Sequence, residues 1–309
     1  MTSPVFLSIL IPVYNWDIAP LLQSLCAQCS RLGQGDLIEI IAVDDGSSRK
    51  FNNGSLAQGL RGVIYKELPE NTGRAAVRNF LVRLARGTYV LFLDADMLPD
   101  QEDFVKTYYE LARNGRDVVC GGISYRQITH PDSAGSFYMY KSLKTEALPA
   151  AVRNATPWRY IFTSNIMLRR DIMESVSFDP RFTGYGFEDI EWGMRLAESF
   201  TVEHIDNTCS HLGVMSKEQV FARMREATNN YFLFYSLYPQ KTGATGAIGW
   251  ARRLQYFPDF LLQLSDKVLA GFFAFFSWNR LLFLLFQCDK AVLLARKVKE
   301  QRLSAQQGR

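Results

Sequence analysis

A chain of 309 residues with 48% apolar side chains is long enough for one large domain, or for one domain plus a smaller appendage, around a sizeable core. Its net charge of +4, with no dense run of Lys and Arg, argues against a nucleic-acid partner. Five cysteines (Cys26, Cys29, Cys120, Cys209, Cys288) lack the spacing of a disulfide framework and fit a reducing, cytoplasmic compartment.

Met1-Thr2-Ser3-Pro4 has no basic stretch, and the apolar run behind it is short and β-branched, so residues 5–13 read as a first strand rather than a signal peptide. Residues 16–31 have helical spacing, with Leu21, Leu22, Leu25 and the adjoining Leu32 on or near one face. Cys26 and Cys29 are spaced like a redox or metal pair. They stand alone in that helical pattern and read as two ordinary helix-face cysteines. Further apolar strands are expected at 37–43, 62–68 and 88–93, with an amphipathic helix over 72–85. Near-continuous apolar strands separated by helices predict an α/β fold, a mostly parallel sheet flanked by helices on both faces. The segment 117–215 is less regular, with strands near 118–125 and 165–169 and a helix opening around Glu188. From Lys217 onward the pattern is helical and rich in Phe, Tyr and Leu, which puts a soft boundary near 215 and a helical C-terminal extension over 216–309.

Ligands of parallel sheets bind beyond the carboxyl ends of the strands. Three polar motifs fall there: Tyr14-Asn15, Asp44-Asp45-Gly46-Ser47 and Asp94-Ala95-Asp96. Asp94 and Asp96 are two residues apart after a strand, so they point the same way. Two like charges that close call for a cation, and hard oxygen ligands suit Mg²⁺ or Mn²⁺, which also accept phosphate oxygens. A solvated turn is the plainer alternative. Asp44 and Asp45 either accept hydrogen bonds from a base or ribose or close an Asx turn. Arg74 and Arg78, one helical turn apart, either neutralise a diphosphate or form a solvated basic face.

A second acidic cluster, Gly184-Tyr185-Gly186-Phe187-Glu188-Asp189-Ile190-Glu191-Trp192, opens a helix. Acids in a first turn answer the helix dipole. Alternatively, one acid faces a pocket walled by Tyr185, Phe187 and Trp192, where partial desolvation suits a general base. His211 is either structural or a third ligand beside the two aspartates, since imidazole suits Mn²⁺. His204, seven residues earlier, is read as structural.

Ile11-Pro12-Val13-Tyr14-Asn15, Val43-Asp44-Asp45-Gly46-Ser47, Asn71-Thr72-Gly73 with Arg78-Asn79, and Leu93-Asp94-Ala95-Asp96 occur in that order. The series resembles family-2 glycosyltransferases of the GT-A nucleotide-sugar fold. Gly184–Glu191 resembles the acceptor-side signature of β-1,4-galactosyltransferase and chondroitin-polymerase type domains. The resemblance covers about residues 5–215, with a nucleotide-sugar half to about 126 and an acceptor half over 127–215. It implies that Pro12, Tyr14, Asp44 or Asp45, Asn71 and Arg78 surround a nucleoside diphosphate. It further implies that Asp96 is the principal ligand of Mn²⁺ or Mg²⁺, with Asp94 at the metal or ribose and His211 completing the shell. Asp189 would be the general base and Glu188 would steady a sugar; Trp192, Tyr185 or Trp158 either stacks on a sugar face or, as is commoner for such residues, belongs to the core. The expected activity is inverting transfer of a hexose or N-acetylhexosamine from a nucleotide-sugar donor, UDP-linked, to a glycan or lipid-linked acceptor in bacterial surface polysaccharide synthesis. Two rivals predict otherwise: a nucleotidyltransferase would release pyrophosphate, and a silent carbohydrate-binding protein would be indifferent to changes at Asp189.

Residues 268–286 approach the length of a membrane span but contain Asn279 and Arg280. An intramembrane Arg costs about 2.5–3.5 kcal/mol on the lenient insertion scale. Buried helix, interfacial helix at the cytoplasmic face of an inner membrane, and true span are the three alternatives. The basic residues at 290–302 favour anionic headgroups. On this basis a chain ending near Ala251 keeps every expected catalytic residue.

Overall fold

The structure, a computed structural model, describes residues 5–33, 37–128, 135–242 and 246–307. The chain begins with β1 (Leu7–Val13), α1 (Ala19–Leu32), β2 (Ile38–Asp44), α2 (Asn53–Gln58) and β3 (Val63–Glu67). It continues through α3 (Arg74–Leu84), β4 (Tyr89–Leu93), β5 (Met97–Pro99), α4 (Phe104–Arg113), β6 (Val118–Cys120) and β7 (Ile123–Ser124). Next come α5 (Ser136–Thr145), α6 (Ala150–Arg153), β8 (Asn165–Arg169), α7 (Arg170–Ser175) and α8 (Glu188–Ser199). After β9 (Val202–His204) and β10 (Cys209–His211) the chain is helical: α9 (Lys217–Leu237), α10 (Pro239–Thr242), α11 (Gly246–Leu254), α12 (Asp259–Phe275) and α13 (Asn279–Gln307). Two compact units result. The first takes Met1–His130, Leu143–Pro180 and Asp189–Gly213, and the second takes Pro131–Ser142, Arg181–Glu188 and Val214–Arg309.

The first unit is built on a sheet of order β3-β2-β1-β4-β8-β6-β9. β1 to β4 pair in parallel, β8 runs antiparallel to β4 and β6, and β9 is parallel to β6. Leu7, Ile9, Ile11 and Val13 pack on one side with Leu21 and Leu25 of α1 and Phe104 and Tyr108 of α4. Leu10, Ile41, Val43 and Phe92 pack on the other with Leu81 of α3, Ile172 of α7 and Trp192 of α8. Each such side chain contributes about 1.5–3 kcal/mol on burial, and burial on both faces explains why these strands show no polar alternation.

Two helix starts differ from the expected ones by two or three residues for a visible reason. α1 begins at Ala19, with Pro20 in its first turn, and ends on Gly33 in the left-handed conformation. α3 begins at Arg74 because the Thr72 and Gly73 amides are held by the Asp45 carboxylate. Cys26 and Cys29 are free thiols. Burial pushes the Cys29 thiol up to about 12 and raises Cys26 as well, the opposite of a reactive pair. A small second sheet, β5-β10-β7, runs β10 antiparallel to β5 and sets His211 opposite Met97.

In the second unit α9 opens with a capping box between Ser216 and Gln219. Ala247, Ile248 and Ala251 of α11 pack on Ala291, Leu294 and Ala295 of α13, with Tyr231 and Tyr235 of α9 against them. Arg225 on α9 reaches the fully buried Asp289 at 2.8 Å and also Asp266, which Arg296 meets at 3.3 Å. Burial pushes the Asp289 carboxyl up to about 6 against the pull of Arg225.

The stretch 268–286 is not one helix. α12 stops at Phe275, and α13 starts at Asn279, whose side chain donates to Ser136 Oγ at 2.7 Å. Leu282, Leu285 and Phe286 are buried, while Phe275 and Trp278 are exposed. No helix among the described residues is long and apolar enough to cross a membrane. A chain ending near Ala251 would stop inside α11 and lose α13, on which α11 packs.

Candidate active site

β4 delivers its two aspartates at the sheet edge through different partners. The Asp94 amide donates to the Ser164 carbonyl at 3.3 Å, and its Oδ1 accepts from the buried Arg78 of α3 at 2.8 Å. Arg78 is 4% exposed and so is not part of a solvated face, whereas Arg74 is exposed. Burial pushes the Asp94 carboxyl up, but Arg78 and Arg74 together outweigh it and hold the group below the ordinary carboxylate range. Asp96 behaves oppositely: burial pushes it up against the pull of His211, and the Asp94 charge adds to the rise.

Asp96 Oδ2 lies 3.4 Å from His211 Nε2, and the Asp96 carbonyl accepts from the Leu212 amide at 2.8 Å. Gly213 completes this corner, since a Cβ there would collide with Asp96 Oδ2. Ligand atoms about 2.1 Å from an octahedral ion sit roughly 3 Å apart, so Asp96 and His211 fit two adjacent positions of one shell. Asp94, expected at the metal or the ribose, gives one oxygen to Arg78. Among the described residues no group of three His, Cys, Asp or Glu side chains could cage an ion by itself. The donor set therefore fits an open site that leaves positions for ligand oxygens.

The nucleotide-side loops are stapled to each other. The Asn15 amide donates to Ser47 Oγ at 2.7 Å, and the Arg49 amide donates to Asn15 Oδ1 at 2.8 Å. Asp44 accepts from the Ser47 amide at 2.7 Å and from Tyr65 OH at 3.1 Å. Asp45 accepts from the Thr72 amide and hydroxyl at 2.8 and 2.7 Å and from the Gly73 amide at 3.0 Å, fixing the turn that leads into α3. Both carboxylates are 3% exposed with both oxygens engaged. Of the two sequence alternatives, Asp44 closes the Asx turn. Gly46 is needed because a Cβ there would run into the Glu70–Asn71 backbone. Of the residues expected to border the nucleotide, Tyr14 and Asn71 are exposed and Pro12 is half-buried.

On the acceptor side, Asp189 in the first turn of α8 accepts from the Thr163 amide at 3.3 Å and its hydroxyl at 3.2 Å. Glu188 Oε2 is buried with no hydrogen-bond partner among the described residues, and so is Ser164 Oγ. Buried acceptors and donors of this kind are normally satisfied, so each marks a place where a ligand is expected. Glu191 is ion-paired with Arg195 at 2.7 Å and 1% exposed.

Of the two readings open for the aromatic residues, core and platform, the structure puts Trp192 in the core. Trp192 is fully buried, donates Nε1 to the Val176 carbonyl at 2.7 Å and packs on Phe178, so no sugar reaches it. Phe187 stacks on Tyr231 with centroids 4.3 Å apart. It does so with φ at 72°, a left-handed conformation that strains a bulky residue. Asn230 Nδ2 holds that loop through the Thr183 and Gly186 carbonyls at 2.9 and 2.8 Å. Tyr185, with the Arg223 guanidinium 5.0 Å over its ring, and Trp158 are the half-buried aromatics that remain. His204 is structural: its ring lies 2.8 Å from Arg153 and 2.9 Å from the Pro157 carbonyl, and burial lowers it to about 4.

Thr163, Ser164 and Gly213 are site residues that the motifs did not single out. A polar Thr-Ser-Asn run directly before an apolar strand was the available signal for the first two.

A family model described as Glycosyl transferase family 2 matches residues 8–176, more than half of the chain. The chain belongs to glycosyl transferase family 2. This family-2 chain is 26% identical over 207 residues to Glycosyltransferase AglE of Haloferax volcanii, the match covering 64% of each. It is 28% identical over 224 residues to the chondroitin synthase of Escherichia coli, covering 62% of this chain and 32% of that protein. The chain thus spans a little under two thirds of AglE and one third of the synthase. Among solved structures, the mannosyltransferase PcManGT from Pyrobaculum calidifontis in complex with GDP-Man and Mn²⁺ shares the fold. Its TM-score is 0.52 at 16% identity, covering 96% of this chain and 89% of that one. The α/β architecture is therefore GT-A-like, as the motif series implied.

Proposed function

We propose that this chain is a metal-dependent inverting glycosyltransferase. It moves a hexose or N-acetylhexosamine from a UDP-sugar to a hydroxyl of a glycan or lipid-linked acceptor, at the cytoplasmic face of a membrane, in surface polysaccharide synthesis. One observation carries the reading. Thr163 holds Asp189, the next residue's carbonyl takes the Asp94 amide, and Asn165 pairs with Leu93 at the end of β4. A base and a diphosphate-facing carboxylate are anchored to consecutive residues of one strand entry.

In that scheme Pro12, Tyr14 and Asn71 border the nucleotide. Asp44 and Asp45 shape its loops from behind. Arg78 fixes Asp94 and lends positive charge to the diphosphate side. Asp96 and His211 would hold a divalent ion, which supplies charge stabilisation to the departing diphosphate oxygens. Asp189 takes the proton of the acceptor hydroxyl as that oxygen bonds to the anomeric carbon, and the bond to the diphosphate breaks on the opposite side. A single displacement inverts the anomeric configuration. Glu188 Oε2, lacking a partner, accepts from a sugar hydroxyl.

The test is a screen of nucleotide sugars for donor hydrolysis with Mn²⁺, followed by anomeric analysis of the transfer product. Turnover of a UDP-sugar with an inverted product supports the assignment. Pyrophosphate release from a nucleoside triphosphate, or a retained anomer, overturns it.

A further inference from the structure

Helix α12 has a packed side, with Leu262 and Phe273 buried, and an outer side that is apolar as well. Phe260, Leu264, Val268, Phe272 and Phe275 recur every three or four residues along it, between 43% and 82% exposed, and Trp278 continues the stripe at 65%. Soluble surfaces seldom leave so continuous an apolar face bare unless something covers it. The acids of this helix are answered within the unit: Asp259 by Lys299 at 2.8 Å, and Asp266 by Arg225 and Arg296. The exposed Lys267 is the charge that stands on the outer side.

Just before the stripe, an open groove of about 480 Å³ is lined by Trp250, Arg252, Arg253, Gln255 and Tyr256. The Arg253 guanidinium lies 5.2 Å over the Trp250 ring, and that of Arg302 lies 4.6 Å over Tyr256. A guanidinium stacked by its face keeps its N–H groups at the edge, where they suit a phosphate. The surrounding sequence is basic. Residues 246–309 carry ten Lys and Arg against four Asp and Glu, hence +6, while residues 1–245 sum to −2.

We infer that this groove and the outer face of α12 form a docking surface for an anionic phospholipid bilayer. Phe260, Leu264, Phe272, Phe275 and Trp278 enter the headgroup–acyl boundary, and Arg253 with Arg302 receives lipid phosphate. Apolar bodies with aromatic rings and a basic rim are what an interfacial helix requires. Charge decides against a second copy of the chain as occupant. A two-fold dimer would bring the same basic patch against itself, whereas an anionic surface complements it. The bilayer contact stands independently of the transfer chemistry.

The experiment is co-sedimentation of the full chain with vesicles of equal phosphatidylglycerol and phosphatidylcholine, read alongside tryptophan emission. Binding with a blue shift from Trp250 and Trp278 is expected, at least tenfold tighter than to pure phosphatidylcholine. It should weaken when salt rises from about 0.1 to 1 M, which cuts the screening length from about 10 to 3 Å. Phe260→Ser with Phe275→Ser, both largely exposed positions, should lower affinity about tenfold or more with unchanged thermal unfolding. Arg253→Gln with Lys267→Gln should remove the preference for the anionic lipid. No sedimentation at low salt, equal affinity for both vesicle types, or a concentration-dependent dimer that the Phe pair dissociates would each overturn the proposal. Donor hydrolysis measured without vesicles separates the two failures. Lost vesicle binding with hydrolysis intact removes only the docking face, and vesicle binding without any hydrolysis removes only the transferase reading.

Discussion

The two acidic clusters are built on opposite principles. Asp94 and Asp96 hang from a strand whose every residue is buried, so their place is set by sheet register and by partners such as Arg78 and His211. Glu188 and Asp189 follow a loop that holds Phe187 in a left-handed conformation, kept there by Asn230 and Tyr231 of α9. Such a conformation costs about 1–3 kcal/mol, offset within the second unit by the Asn230 hydrogen bonds and the Tyr231 stack. The first cluster is thus set by the sheet, whereas the loop leading into the second is clamped in a strained backbone conformation.

Breaking the acceptor side should give the largest effect. Asp189→Asn keeps the shape and removes the base, so kcat should fall about 10²- to 10⁴-fold, with the donor KM little changed in steady-state assays. Next comes the diphosphate side, where Asp96→Ala should abolish Mn²⁺-dependent UDP binding in calorimetry while leaving the unfolding temperature near that of the parent. Unchanged binding there would place the metal elsewhere. The contrast sharpens with Asn230→Ala, which touches neither ligand. Losing two hydrogen bonds to the loop should cost about 1–3 kcal/mol in urea unfolding, and kcat should drop while Mn²⁺–UDP binding stays intact. A variant that lost both equally would mean that the loop clamp serves general stability only.

The smallest effect concerns His204, which belongs to neither cluster. Burial lowers its folded-state value to about 4 from the usual 6.5, so the unfolded chain binds the extra proton first. The His204 contribution to stability should therefore be flat above pH 6.5 and decline as pH falls from 6.5 toward 4, opposed below about pH 6 by Asp289, whose carboxyl burial pushes up to about 6. His204→Gln should flatten that slope, read from urea midpoints across the window.

The sequence by itself determined the longer strands of the main sheet, β1 to β4 and β8, and the location of polar motifs at strand ends, because these follow from local apolar runs, whereas the three-residue strands β5, β9 and β10 are too short to show a pattern. It also separated His204 from His211 and treated Cys26 and Cys29 as packing residues. Partners distant in the chain were out of its reach. Whether Asp44 and Asp45 face a ligand depended on Tyr65 and Thr72, more than twenty residues away, and the structure turned both acids inward. Trp192 stayed open between core and platform, because an aromatic beside acids has no visible burial until Phe178 and the Val176 carbonyl close on it. Likewise, a single apolar stretch at 268–286 broke into two helices because Asn279 found Ser136 and the second half found a core. Local pattern fixes which segments are apolar and where they end. Only the packed chain decides which charges are already spent on one another and which remain to meet a ligand, because that choice is made between residues brought together by the fold and not by the sequence.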